Sequence, residues 1–211
     1  MRKLNVMSAR RDYTMGLSIA KRFHSEVSVI IDAIPATLDE ANYFLADIGK
    51  HSFVAINLLF ACELYLKIAL SITGREPPES HDLWKLFKNL PAVDQQAINE
   101  EFLKEFAKYP KAFTGNLLLT QTPNLSEKEV LEALRLDEKS APKGEYISLI
   151  RVLKDTKDSY LIWRYVYQSF SESKNHRVIR FHWSHLHCLC IVLERILKAT
   201  IEKHQHASSG T

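Results

Sequence analysis

The stretch FVAINLLFACELYLKIALSI, residues 53–72, decides the fold. Its apolar length is about that of a membrane-spanning helix, but Asn57, Glu63 and Lys67 interrupt it. Glu63 and Lys67 are four residues apart, so on a helix they lie on one face in the favourable order. We therefore predict the central helix of a soluble bundle, with one polar stripe and an end at Gly74, and no membrane span.

Apolar residues recur at steps of three and four along most of the chain, which is the spacing of amphipathic helices. Glycine is scarce, with six residues among 211, and no convincing strand is evident. These features predict a single all-α domain, an up-and-down bundle of about five to seven helices. The domain is expected over residues 1–204 with a core at about 13–203, and residues 205–211 are expected to form a disordered tail. The predicted helices cover about 13–34, 52–73, 80–90, 92–108, 145–154, 158–170 and 177–204, and capping boxes at residues 37–40 and 126–129 predict two further helix starts.

Composition places the chain among folded proteins, since 46% of residues are hydrophobic and 25% are charged. The formal net charge of +3 is compatible with an anionic partner but far below that of a dedicated nucleic-acid binder. Cys62, Cys188 and Cys190 all lie in apolar helical stretches and are expected to be reduced, packed thiols. No apolar segment follows the basic N-terminus, so we expect no signal peptide and a cytoplasmic location.

Three short motifs follow one another along the chain. Residues 61–70 read ACELYLKIAL, residues 80–86 read SHDLWKL, and residues 163–165 read WRY. In order and spacing these motifs resemble the HEPN superfamily, small helical domains associated with nucleotide and RNA biology. The resemblance covers about residues 38–203 and implies a HEPN-like bundle that forms a homodimer.

Charged side chains on an inner helix are costly unless they are paired. The resemblance therefore implies that Glu63, Lys67, His81, Asp82 and Arg164 meet inside the bundle as a polar seam. The simpler interpretation is that Glu63 and Lys67 form a surface pair and that His81 and Asp82 begin an ordinary capped helix.

Catalytic members of the superfamily are metal-independent ribonucleases with an Arg-x(4–6)-His motif. A guanidinium can hold a phosphate while an imidazole transfers a proton near neutral pH. Two overlapping pairs have this spacing, Arg177 with His182 and Arg180 with His185. In both an apolar residue follows the arginine where the superfamily has a small polar one, and residues five apart on a continuous helix diverge.

We therefore expect a HEPN-like domain that binds RNA, a nucleotide or a protein partner, in the setting of prokaryotic defence or a toxin–antitoxin system. Two alternatives stay open, a metal-independent ribonuclease and a purely structural interaction protein. His182 and His185 are three residues apart but lack a third ligand of matching placement, so we expect no metal. Phosphate-loop and dinucleotide motifs are absent from the sequence, so we expect no cofactor.

Overall fold

The computed structural model describes residues 6–32, 48–108, 117–120, 148–157 and 178–209. These residues contain six helices and two short strands, and the predicted all-α helical bundle is confirmed. In chain order the elements are α1 (Val6–Asp32), α2 (Ile48–Ile72), α3 (Leu83–Lys88), α4 (Ala92–Phe106), β1 (Leu117–Thr120), α5 (Leu149–Asp155), β2 (Val178–Phe181) and α6 (Trp183–Ser209).

Helices α1 and α2 pack in opposite directions. The Tyr13 hydroxyl donates a hydrogen bond of 3.1 Å to the backbone oxygen of Ser71. The Phe23 and Phe60 rings meet edge-on with centroids 4.8 Å apart. The start of α1 therefore lies beside the end of α2.

Helix α6 packs on α2 in the same direction. The sulfur atoms of Cys62 and Cys190 are 3.3 Å apart, and the Tyr65 hydroxyl donates to Oε2 of Glu194 at 3.3 Å. Residue numbers on the two helices thus rise together. Helix α6 is therefore a parallel neighbour of the central helix α2.

Helix α4 runs opposite to α6. The Phe106 ring stacks on His185 near the start of α6, with centroids 4.2 Å apart. Further along α6, the Arg195 guanidinium donates to Glu101 at 3.0 Å. The four long helices α1, α2, α4 and α6 therefore alternate in direction, which is the predicted up-and-down arrangement.

The apolar stretch that decides the fold forms the centre of the bundle. By length and composition Phe53–Ile72 is the one helix among the described residues that could cross a membrane, but 67% of that window is buried. It packs between α1 and α6, as a core helix does. Gly74, with φ of 74°, ends α2 as predicted, and the Arg75 amide bonds to the Leu70 oxygen at 3.0 Å.

The last helix begins later than the sequence predicts. Residues 178–181 form β2, which pairs antiparallel with β1 and places Arg180 opposite Leu118. Helix α6 therefore begins at Trp183 and not at about residue 177, and its first turn closes with a 3.0 Å bond from the Leu186 amide to the His182 oxygen. A segment of only four residues fits a strand and a helix equally well, so periodicity alone cannot separate them.

Other boundaries also differ, and α1 begins at Val6 and not at about residue 13. Helix α2 already begins at Ile48 and includes Gly49, whereas the sequence predicts a start at about residue 52. Helix α6 continues to Ser209, so most of the tail predicted to be disordered at 205–211 is helical. No glycine or proline interrupts the helix between Trp183 and Gly210. The predicted helix over about 158–170 and the helix starts at 37–40 and 126–129 lie outside the described residues.

Candidate functional site

The middle of α2 holds a buried carboxylate that two basic side chains share. Glu63 Oε1 accepts a hydrogen bond from Lys67 Nζ at 2.7 Å. Glu63 Oε2 lies 2.8 Å from His81 Nδ1 in the loop before α3. The structure thus brings together three of the five residues predicted to form the polar seam.

This trio opens to solvent on one side. The side chain of Glu63 is 4% exposed, that of Lys67 is 28% exposed and that of His81 is 56% exposed. A buried carboxylate costs several kcal/mol unless it is bonded, and both of its oxygens are bonded here. The buried charge therefore holds two basic groups at the surface.

The other two predicted seam residues are not part of this trio. Asp82 is the N-cap of α3, where its Oδ1 accepts a 3.0 Å hydrogen bond from the Lys85 amide. The Asp82 amide in turn donates to Ser80 Oγ at 3.1 Å. For Asp82 the simpler interpretation, an ordinary capped helix start, describes the contacts seen. Arg164 lies outside the described residues.

Helix α3 presents a basic surface that sequence reasoning missed. Its inward side chains are Leu83, Leu86 and Phe87. We use the name α3 face for the outward set His81, Trp84, Lys85 and Lys88, together with Lys154 of α5. All of these side chains are exposed except Trp84, which is half-buried, and Lys154 Nζ lies 5.0 Å from the centre of the Trp84 ring. The spacing of positions 81, 84, 85 and 88, which places them on one side of a helix, could have predicted this surface from the sequence.

The histidines of the Arg/His pairs lie in the core. His185 is 1% exposed and His182 is also buried. His182 Nε2 lies 3.4 Å from Asp155 Oδ2, and the two imidazole rings are 5.5 Å apart. Burial and, to a smaller extent, neighbouring His182 lower the pKa of His185 to about 3. His185 is therefore neutral and enclosed at physiological pH.

One arginine of the same pairs, Arg180, is placed differently from the prediction. Arg180 lies on β2, outside α6, so the divergence expected for a continuous helix does not apply to either pair. Arg177 lies outside the described residues. The arginine that the described contacts place near His182 is Arg151, whose Nε lies 2.9 Å from the Asp155 Oδ2 that is 3.4 Å from His182 Nε2.

A second buried histidine pair joins α1 to α6. His24 Nε2 lies 3.0 Å from His187 Nδ1. Burial, then His24, lowers the pKa of His187 to about 4, against the opposing effect of Glu105. Burial also lowers the pKa of His24, although nearby Glu194 partly opposes it. Two imidazoles alone do not make a metal site, and the described part of the chain contains no group of three or more His, Cys, Asp or Glu side chains that could hold a metal ion.

Comparison of this chain with protein-family models, with curated proteins and with solved structures finds no match in any of the three. The HEPN resemblance therefore stays a prediction.

Proposed function

We propose that this chain is a HEPN-like helical domain that binds RNA through its α3 face without cleaving it. The observation that carries the proposal is the half-buried ring of Trp84 with Lys154 over it, flanked on the same helix by exposed Lys85 and Lys88. Lysines track the phosphate backbone and an aromatic ring stacks on bases in many proteins that bind single strands.

The charge balance around the α3 face supports an anionic ligand. The Asp82 carboxylate is engaged in capping α3. The Arg75 guanidinium donates to the backbone oxygen of Asn89 at the end of the same helix, which adds another cation. Exposed acidic side chains also lie close in sequence, since Glu76 adjoins Arg75, Glu79 precedes His81 and Asp155 follows Lys154. The α3 face itself contains three lysines, Lys85, Lys88 and Lys154, and no carboxylate.

The buried histidines favour binding over catalysis. A general acid or base must reach its substrate and works best with a pKa near the operating pH. His185, with a pKa of about 3, meets neither condition. The role in prokaryotic defence or a toxin–antitoxin system, the homodimer and the cytoplasmic location are part of the same proposal and rest on the resemblance and the composition.

Fluorescence anisotropy with a labelled single-stranded RNA in EDTA tests the proposal. We expect the dissociation constant to rise steeply between about 50 and 200 mM KCl, since each neutralised phosphate releases counterions. Lys85→Ala/Lys88→Ala should weaken binding and reduce the salt slope by about 1 to 2. The matched control Lys198→Ala/Lys203→Ala removes the same charge from the exposed surface of α6 and should leave the slope unchanged.

Equal losses in both double variants would show that the α3 face is not the site. No salt-dependent binding by the wild-type chain would remove the RNA proposal and favour a protein partner or a structural role. Cleavage of RNA in EDTA by the wild type, but not by Arg177→Ala/Arg180→Ala, would instead establish the ribonuclease alternative.

A further inference from the structure

The Trp84 ring lies between the core and the solvent. On its inner side it packs against the Phe87 ring, with centroids 6.3 Å apart and planes 27° apart. The ammonium group of Lys154 also lies over the ring, 5.0 Å from its centre. The Trp84 ring thus lies at the edge of the core, with the flexible side chain of Lys154 over it.

Among the residues that the structure describes, no carboxylate forms an ion pair with Lys154 that would hold it there. The next residue, Asp155, is the nearest acid in sequence, but both of its oxygens accept hydrogen bonds from the Arg151 Nε at 3.0 and 2.9 Å. The contact of Lys154 with the ring is an exposed cation–π contact, which is weaker than the stacking of a nucleobase on an aromatic ring. Exchange of the ammonium for a base is therefore favourable, and the long lysine stem lets the ammonium follow a phosphate.

We propose that Trp84 stacks on one nucleobase of the ligand, and that Lys154 leaves the ring on binding to contact the adjoining phosphate. This inference rests on the proposed function and specifies how the α3 face binds its ligand. The shared chemistry is a nucleobase with a phosphate attached, which either single-stranded RNA or a free nucleotide supplies.

Tryptophan fluorescence and anisotropy together test the stacking. Three tryptophans occur, at positions 84, 163 and 183, so the difference between wild type and Trp84→Phe isolates the signal of Trp84. Titration with an oligoadenylate should quench this signal. Trp84→Phe should bind within about 3-fold of wild type because it keeps a ring, whereas Trp84→Leu should bind roughly 10- to 100-fold more weakly.

The salt dependence separates stacking from charge. Trp84→Leu should keep the wild-type salt slope, since no phosphate contact is lost, whereas Lys154→Met should lower the slope by about 1 and still show quenching. A parallel titration with adenosine monophosphate distinguishes the sources. Quenching by the monophosphate at the same concentrations indicates a nucleotide site, and quenching only by the oligonucleotide indicates an RNA site, both in accord with stacking.

Tight binding by Trp84→Leu, while Lys85→Ala/Lys88→Ala still weakens binding, would overturn the stacking inference and leave the proposed function standing. Absence of quenching at Trp84 despite salt-dependent binding would also overturn it. Failure of the wild-type chain to bind either ligand would overturn both. Circular dichroism of each variant confirms that the fold is retained, and Trp84→Phe provides the test if Trp84→Leu does not fold.

Discussion

Mild acid should destabilise this protein because it buries neutral imidazoles. Burial lowers the pKa of His185 to about 3 and that of His187 to about 4, whereas a histidine in the unfolded chain titrates at about 6.5. Below that pH the unfolded chain binds protons that the folded chain excludes. The two histidines therefore do not reduce the free energy of unfolding above about pH 6.5. As the pH is lowered below this value, the free energy of unfolding falls until the folded pKa values are reached.

The size of the effect follows from proton linkage. Between pH 7 and pH 5 each of the two histidines should reduce the free energy of unfolding by about 2 kcal/mol, or about 4 kcal/mol together. Typical domains have a free energy of unfolding of roughly 5–15 kcal/mol, and this loss is a large part of it. Burial lowers the pKa of His24 as well, so His24 adds to the loss in the same direction.

Urea denaturation followed by circular dichroism at about pH 7, 6 and 5 and constant ionic strength measures this loss. His185→Phe replaces a ring that stacks on Phe106 with one that cannot titrate. It should reduce the pH-dependent loss by about 2 kcal/mol. The control Ile98→Val, at another buried position, should cost about 1 kcal/mol equally at every pH. A wild-type chain equally stable at both ends of the range, or a His185→Phe variant with the wild-type pH dependence, would refute the reasoning.

Three further variants test the described contacts by urea denaturation at neutral pH. Glu63→Gln should lower the free energy of unfolding by about 2 kcal/mol, because a neutral amide cannot replace both charge-assisted bonds, whereas an unchanged midpoint would mean that the trio contributes nothing. Asp82→Ala should cost about 1 kcal/mol through the lost N-cap, and Asp82→Asn, which can still accept the Lys85 amide, should restore most of it. Leu66→Ala, which opens a cavity at a fully buried position of α2, should cost about 2–5 kcal/mol, and a loss below about 1 kcal/mol would place Leu66 outside the core.

The long helices were predictable because the apolar spacing and the end signals of each helix lie within its own segment. The apolar stretch of α2 and its end at Gly74 are encoded within one segment, and Pro91 separates α3 from α4. The β1–β2 pairing was not predictable in this way. Leu117 lies opposite Phe181, so the partner that makes residues 178–181 a strand is found more than sixty residues away.

The contacts of the candidate site also differ in whether a local sequence pattern predicts them. The Glu63–Lys67 bond follows from a four-residue spacing, which any helix brings into contact. The approach of His81 to Glu63 depends on the path of the loop between α2 and α3, and only the family resemblance predicted it. The contact of His24 with His187 spans 163 residues, and no local pattern predicts a contact at that separation.

The position of His185 links the stability of the fold to the choice between binding and catalysis. His185 has a pKa of about 3, so it is uncharged at neutral pH and its burial is then compatible with a stable fold. A proton-transfer role would instead require a pKa near 7. These two roles exclude each other. The pH dependence of His185→Phe therefore also tests the ribonuclease alternative at His185, since an unchanged pH profile would mean that its pKa is close to that of the unfolded chain. In that case the physical objection to catalysis at His185 would no longer hold.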